Sequence, residues 1–285
     1  MSAQGSRSRN GRLPAGRKAD LVAYVTERGQ VSVAALAERF GVSPDTIRRD
    51  LDALDSQGML IRTHGGAVST SLVPDPDTGT DVRARLHADD KLSIATAAAA
   101  CVRDGASLFV NGGTTTLAVM RRLGGRRNLR VVTNNLLLPE AVPGEAVEEL
   151  FMVGGPVRAS ALTTTGPLSS AFGALPTPGV AFRCDIALIG VGAVGPTGYS
   201  TSHLPEAALI AEMARNATTV IVLADSSKFG RTLFATTGAL SMADVLITDT
   251  PPAPELARAL AEAGVTVNVA DALADGDGGP AGPTG

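Results

Sequence analysis

Tryptophan is absent from this 285-residue chain, and aromatic residues make up only 3% of it. The core must therefore be built from Ala, Val and Leu, and an aromatic cage or a platform for stacked bases is not expected. Apolar runs stay far short of the roughly 18 residues that cross a membrane as a helix. The two cysteines, Cys101 and Cys184, lie far apart in stretches that read as buried, which suits free thiols in the cytoplasm. His64, His87 and His203 share no metal-ligand spacing with them, so neither a metal nor a cofactor is expected. There is no G-x-S-x-G and no neighbouring His to activate either cysteine, so nucleophilic catalysis finds no support. The basic start, MSAQGSRSRNGRLPAGRK, has no uninterrupted apolar segment behind it and reads as a tail over 1–16 rather than a signal peptide.

What remains is an ordinary apolar fraction of 44% and a length that suits two domains. Residues 1–70 hold ten Lys/Arg against seven Asp/Glu, and the rest of the chain holds fifteen against twenty-one. A small basic module ahead of a larger acidic one suggests two tasks.

In the basic module a helix is expected from about Arg17 to Gly29, with Leu21, Tyr24 and Val25 at helical spacing. A second follows the N-cap Ser32, carries the stripe Val33, Leu36, Ala37, Phe40, and ends at Gly41. A third opens with Ser43 and Pro44, buries Ile47, Leu51 and Leu54, and turns Thr46, Arg48, Arg49 and Asp52 outward. Met59–Arg62 reads as a short strand turning through Thr63-His64-Gly65-Gly66. Two helices joined by a tight turn and followed by a hairpin form a winged helix-turn-helix, whose second helix enters the DNA major groove. Arg48 and Arg49 then face phosphates and base edges. The competing reading is a solvated helical face whose arginines pair with Asp45 or Asp52.

Residues 70–82 are rich in Pro, Gly, Ser, Thr and Asp and read as a linker between a domain at 17–69 and one at 83–272. The Gly/Pro-rich end, 273–285, reads as a second tail. Across 83–272, continuous apolar runs alternate with alanine-rich helical stretches. The runs are Ser107–Asn111, Leu129–Thr133, Glu149–Val153, Asp185–Val191, Thr219–Ala224, Asp244–Thr248 and Val265–Val269. Runs without alternation imply strands covered on both faces, hence a mostly parallel α/β sheet that binds ligands at its carboxyl edge.

Polar residues gather after these runs. Asn111-Gly-Gly-Thr114-Thr115-Thr116 places glycines and free amides at a helix start, an anion site without the lysine of a nucleotide loop, or else a glycine turn with a threonine cap. Thr133-Asn134-Asn135, Gly154-Gly155 and Asp225-Ser226-Ser227-Lys228 follow strands in the same way. Lys228, the only lysine after Lys91, meets either a ligand anion or Asp225, and Asn134 and Asn135 meet either sugar hydroxyls or their own backbone. Gly190-Val-Gly-Ala-Val-Gly195 matches the dinucleotide pattern, but Pro196, Thr197 and Gly198 prolong the loop where a helix would have to begin.

Together these segments resemble the DeoR family of bacterial transcriptional regulators. VSVAALAERFGVSPDTIRRDLDALDSQGMLIRTHGGAV is similar to the family's helix-turn-helix and wing, and NGGTTTLA, VVTNN, MVGG and ADSSKFG appear in family order, over roughly 17–270. The resemblance implies that Ser32, Ser43, Thr46, Arg48 and Arg49 face double-stranded operator DNA, with Arg62 and His64 on the wing. It implies a sensor domain with a sheet like that of ribose-5-phosphate isomerases. A phosphorylated sugar would be held by Gly113, Thr114, Thr115, Thr133, Asn134, Gly154, Gly155, Asp225 and Lys228. It further implies an oligomeric, cytoplasmic repressor of carbohydrate-catabolism genes. The alternative is a sugar-phosphate isomerase with an accessory DNA-binding domain. Such isomerases place acidic residues where Gly190–Gly195 stands, so a base would have to come from Glu206 or Asp225.

Overall fold

A computed structural model describes residues 14–70, 72, 78–172 and 183–271. The two expected tails lie outside the described residues except for 14–16, as do residues 71 and 73–77 of the expected linker. The chain divides into two compact units, residues 1–74 and 75–285.

The first unit contains α1 (Pro14–Arg28), β1 (Gln30–Ser32), α2 (Val33–Phe40), α3 (Pro44–Ser56), β2 (Ile61–Thr63) and β3 (Gly66–Val68). α1 begins at Pro14, inside the stretch expected to be a tail. Ser32 caps α2 by accepting the Ala35 amide at 3.2 Å, and Ser43 caps α3 by accepting that of Thr46 at 3.2 Å. The turn between the helices passes through Gly41 in the left-handed region at φ 64°. β3 is the middle strand, pairing antiparallel with β2 and with β1. β1 was not expected: it is three residues long and buries only Val31.

The core of this unit is aliphatic, with Leu21, Val25, Leu36, Ile47, Leu51, Leu54 and Leu60 withdrawn from solvent. Within it lies one charged contact. Arg17 Nε on α1 donates to Asp50 Oδ2 on α3 at 2.7 Å, and the side chains keep 16% and 9% of their exposure. The bond to Asp50 raises the Arg17 pKa above its ordinary value. The pair joins the first helix to the helix that carries Arg48 and Arg49.

The second unit begins with α4 (Thr80–Arg85) and α5 (Ala88–Ala100). It continues with β4 (Ser107–Val110), α6 (Thr114–Arg121), β5 (Leu129–Thr133), α7 (Leu138–Ala141), β6 (Val147–Met152), β7 (Val157–Arg158) and β8 (Thr163–Thr164). Then come β9 (Cys184–Gly190), β10 (Ala193–Gly195), β11 (Gly198–Thr201), α8 (Leu204–Arg215), β12 (Ala217–Leu223), β13 (Ala235–Gly238), β14 (Val245–Thr248), α9 (Pro254–Glu262) and β15 (Thr266–Val269).

All seven expected strands occur, and they form one parallel sheet in the order β15-β14-β12-β9-β4-β5-β6. α5, α6 and α7 pack on one face, against Leu108, Val110, Leu188, Ile221 and Leu223. α8 and α9 pack on the other, against Phe109, Ala187, Ile189, Val220 and Val222. Successive residues of one strand thus feed opposite cores, which is why the runs read as continuously apolar. From β4 the chain winds outward through β5 and β6; from β9 it winds the other way. The β4–β9 seam is the switch point of the sheet, where the crevice of such folds opens.

The expected burial of the two cysteines fails at one of them. Cys101 is exposed, because it sits at the carboxyl end of α5 beyond the last buried alanine. Cys184 is buried, and burial pushes its thiol up to about 12. No helix among the described residues is long and apolar enough to cross a membrane.

Asp50→Ala leaves the Arg17 guanidinium without its partner. The first unit is expected to lose about 2 kcal/mol of stability. Amide hydrogen exchange on the full chain should show faster opening of α1 and α3 with no change in the parallel sheet. Unchanged protection in α3 would mean the pair contributes nothing.

Candidate functional site

Two regions present chemistry, one in each unit. In the first, Pro44 opens α3 and the inner face takes Ile47, Asp50, Leu51 and Leu54, which leaves Arg48 and Arg49 exposed one turn in. Arg48 Nη1 meets Asp45 Oδ1 at 2.5 Å, as the competing reading allowed, and both side chains remain more than half exposed. Arg49 makes no ion pair among the described residues. Ser43 Oγ and Thr46 Oγ1 lie 2.9 Å apart at the start of the helix. On the wing, Arg62 Nε pairs with Asp52 Oδ1 at 3.0 Å, and its amide donates to Asp55 Oδ1 at 2.8 Å. His64 stands exposed at the turn between β2 and β3, and Ser32 is exposed at the start of α2.

In the second unit the polar segments after β4, β5, β6, β9, β12 and β14 all fall on the carboxyl edge of the sheet. At the seam, the Asn111 side chain bonds the Gly190 peptide in both directions: Nδ2 donates to Gly190 O at 2.8 Å, and Oδ1 accepts from Gly190 N at 2.8 Å. Gly190–Gly195 opens no helix; β10 and β11 form a hairpin there.

α6 starts at Thr114 without a side-chain cap. The Gly112 amide donates to Asn134 Oδ1 at 2.7 Å, whereas the amides of Gly113, Thr114 and Thr115 have no intrahelical acceptor. Thr116 bonds back to Asn111 O at 2.8 Å, while the hydroxyls of Thr114 and Thr115 make no such bond. These amides and hydroxyls suit an anion.

Several of the expected residues are occupied with structure. Thr133 Oγ1 donates to Val110 O at 2.7 Å. Asn134 spends both ends of its amide, on Gly112 N and on Thr164 O at 2.8 Å. Asn135 likewise serves Gly113 O and the Leu137 amide. Gly154 N donates to Ser170 Oγ at 2.8 Å. Gly155, at φ 115°, crosses Gly166 so closely that a Cβ there would stand 2.7 Å from Gly166 Cα. These glycines form the base of the β7–β8 hairpin, which is laid over the ends of β5 and β6 by bonds from Thr164 to Asn134 O and Val153 O. At the far side of the hairpin, Thr80 Oγ1 at the start of α4 donates to Ser160 O at 3.1 Å.

Charge is concentrated after β12. Asp225 is 1% exposed; its Oδ1 accepts the Ser227 hydroxyl, and its Oδ2 has no hydrogen-bond partner and lies 4.0 Å from Lys228 Nζ. Asp249, after β14, holds this turn by accepting the Ser226 amide at 2.6 Å and hydroxyl at 2.8 Å. Burial pushes the Asp249 carboxyl up, but the Ser226 and Thr250 bonds outweigh it and hold the pKa below the ordinary value.

Lys91 enters from α5, donating to Arg83 O at 2.7 Å and to Leu86 O. Burial lowers its pKa to about 8, against the pull of Asp225. Burial also lowers that of Lys228. Two of the three lysines in the chain are thus withdrawn from water beside one carboxylate. Arg83 is half-buried near Arg158 and Glu206; its Nη2 donates to Thr80 Oγ1 at 3.2 Å, and its Nε lacks a hydrogen-bond partner. Arg158, on β7, meets Glu206 Oε2 at 3.2 Å, and the Thr201 hydroxyl donates to the same oxygen at 3.1 Å. Glu206 is therefore engaged from two sides.

Arg83, Lys91, Arg158 and Asp249 were missed by sequence reasoning. The first two precede the first strand of the sheet and belong to no motif; only Asp249, a polar residue just past a strand, carried the signal that marked the others. Among the described residues, no group of three or more His, Cys, Asp or Glu side chains could hold a metal ion.

Residues 86–250 match a family model described as the DeoR C terminal sensor domain, and residues 17–72 match the DeoR-like helix-turn-helix domain. The glycerol-3-phosphate regulon repressor of Escherichia coli (strain K12) is 31% identical over 246 residues, 85% of this chain and 93% of the relative. The HTH-type transcriptional repressor CsqR of the same organism is 29% identical over 252 residues, 88% and 94% of the two chains. Among solved structures, ribose 5-phosphate isomerase from Plasmodium falciparum overlays 51% of this chain and 53% of its own, with 13% identity and a TM-score of 0.34.

The lowered pKa of Lys91 has opposite consequences for stability and for anion binding. Above about 8 the folded chain has shed a proton that the unfolded chain holds up to the ordinary 10.5, so this group adds stability as pH rises through that window. Inorganic phosphate should bind the crevice several-fold more weakly at about pH 9 than at about pH 7, as the ammonium is lost. Isothermal titration tests this, and Lys91→Arg should flatten the profile. A flat wild-type profile would remove Lys91 from the field of the crevice.

Proposed function

The chain belongs to the DeoR family of transcriptional regulators, and on that premise we propose that it is a cytoplasmic repressor of carbohydrate-catabolism genes, released from operator DNA by a phosphorylated sugar. The observation that carries this reading is the pairing, in one chain, of an arginine-bearing recognition helix with a crevice whose buried lysines and free helix amides suit a phosphate. Arg49 supplies base or phosphate contact, and Arg48 exchanges its exposed partner Asp45 for DNA. Ser32, Ser43, Thr46, Arg62 and His64 frame the contact. In the crevice, Gly113, Thr114, Thr115 and Lys228 meet the effector. Thr133, Asn134, Gly154, Gly155 and Asp249 position the loops that hold it.

A homo-oligomer would bring two reading heads to repeated half-sites. The effector acts by binding more tightly to the arrangement that no longer fits the site spacing. The chain is not read as an isomerase. Enediol chemistry needs a free base: Glu206 is engaged by Arg158 and Thr201, which leaves Asp225, beside Lys228, as the carboxylate an isomerase would have to use.

The test is fluorescence anisotropy on DNA from upstream of the gene and its neighbours, in about 100 mM salt, followed by glycerol 3-phosphate, fructose 1-phosphate and fructose 6-phosphate. Selective binding released by one of them is expected. Arg49→Ala should weaken binding to that DNA about tenfold or more. Lys228→Ala should leave DNA affinity intact and raise the effector concentration needed for release. Equal binding to unrelated DNA would defeat the regulator reading, and turnover of a sugar phosphate would favour the isomerase.

A further inference from the structure

Thr163 stands on β8, in the hairpin over the ends of β5 and β6. It is 1% exposed, and its Oγ1 has no hydrogen-bond partner. Its neighbours spend theirs: Thr164 Oγ1 donates to Val153 O, and Thr165 Oγ1 to Pro156 O at 3.3 Å. A buried hydroxyl without a partner is a standing loss of stability.

The direction of the side chain follows from its methyl group. Thr163 Cγ2 lies directly over Gly112, where any Cβ would overlap it. Asn134 Oδ1 lies 3.6 Å from that same point. The Thr163 backbone is bridged to Asn135, which donates to Gly113 O at 3.2 Å. The Thr163 side chain therefore stands over the Gly112–Gly113 turn from which α6 rises.

A second buried polar atom without a hydrogen-bond partner, Asp225 Oδ2, lies at the end of β12, two strands from β4. That separation is about 10 Å, the span of a small phosphorylated polyol. The two ends differ in polarity. A carboxylate only accepts, so it repels phosphate and suits a ligand hydroxyl. The α6 end offers amide and hydroxyl donors and no charged acceptor, which suits phosphate oxygens.

We propose that Thr163 completes the phosphate end of the crevice. It donates its hydroxyl to an oxygen of a phosphate monoester seated on the amino end of α6, and the ligand's hydroxylated chain runs towards Asp225. The inference rests on the reading of the crevice as the effector site. The hairpin thus carries a specificity residue across the strand ends, and Gly112 lacks a side chain because the Thr163 methyl fills its place.

The test compares the full-length chain with Thr163→Val and Thr163→Ser by isothermal titration with inorganic phosphate, glycerol 3-phosphate and fructose 6-phosphate. Each phosphate that the wild type binds should bind Thr163→Val about tenfold more weakly, and Thr163→Ser should restore most of the affinity. Without ligand, Thr163→Val should melt at or above the wild-type temperature, since valine fills the same space with no hydroxyl to satisfy. Wild-type affinity in Thr163→Val overturns the inference and leaves the effector reading standing. A lower ligand-free melting temperature in Thr163→Val, with no rescue of affinity by serine, overturns it as well by making the hydroxyl structural. A wild type that binds none of the three phosphates overturns the effector reading and the inference with it.

Discussion

The sensor unit turns on one side chain, the amide of Asn111. Parallel pairing between β4 and β9 ends where the two chain paths diverge, one towards β5 and the other towards β12. Beyond that point no ladder hydrogen bond holds the strand ends together. Asn111 extends the ladder by one step, giving and receiving a hydrogen bond with the Gly190 peptide. An amide does both; an ionised carboxylate would set an acceptor against the Gly190 carbonyl. The floor of the crevice, and so the spacing between the α6 amides and the charged turn after β12, is defined by this contact.

The two units handle charge in opposite ways. In the DNA-reading unit the buried pair Arg17–Asp50 holds α1 to α3, while Arg48 and Arg62 rest in exposed pairs with Asp45 and Asp52. Exposed pairs contribute little and are screened by salt, so these arginines can change partner at small cost. In the sensor unit the two lysines after the linker are withdrawn from water. Lys91 and Lys228 face Asp225 from elements far apart in sequence, and burial lowers both of their pKa values. A dianion brought between them would be met by charges that solvent cannot screen.

The seven strands of the parallel sheet were legible because strands packed on both faces read as unbroken apolar runs. β1, β7, β8, β10, β11 and β13 were not. They are two to four residues long, too short to show a period, and all but β7 contain Gly, Thr or Ser. In the candidate site, glycines, threonines and a lone lysine just past strands marked the right edge of the sheet. Composition could not separate polar residues that bind from those that brace. Thr133 and Asn134 look identical to ligand residues in sequence, yet their donors and acceptors are taken up by Val110, Gly112 and Thr164. Arg83, Lys91 and Arg158 reach the site by tertiary packing alone.

The β7–β8 hairpin separates positions that can drift from positions that cannot. Where Gly155 crosses Gly166, neither strand tolerates a side chain, so both have to stay glycine for the loop to close. Farther out, the hairpin touches α4 through the Ser160 carbonyl, which every amino acid possesses. If the hairpin meets the effector as proposed, lineages descended from one ancestor could remodel the outer part of this loop, and ligand preference with it, while the sheet beneath is inherited unaltered. Divergence in what such proteins sense would accumulate in about ten residues, without any new fold having to evolve.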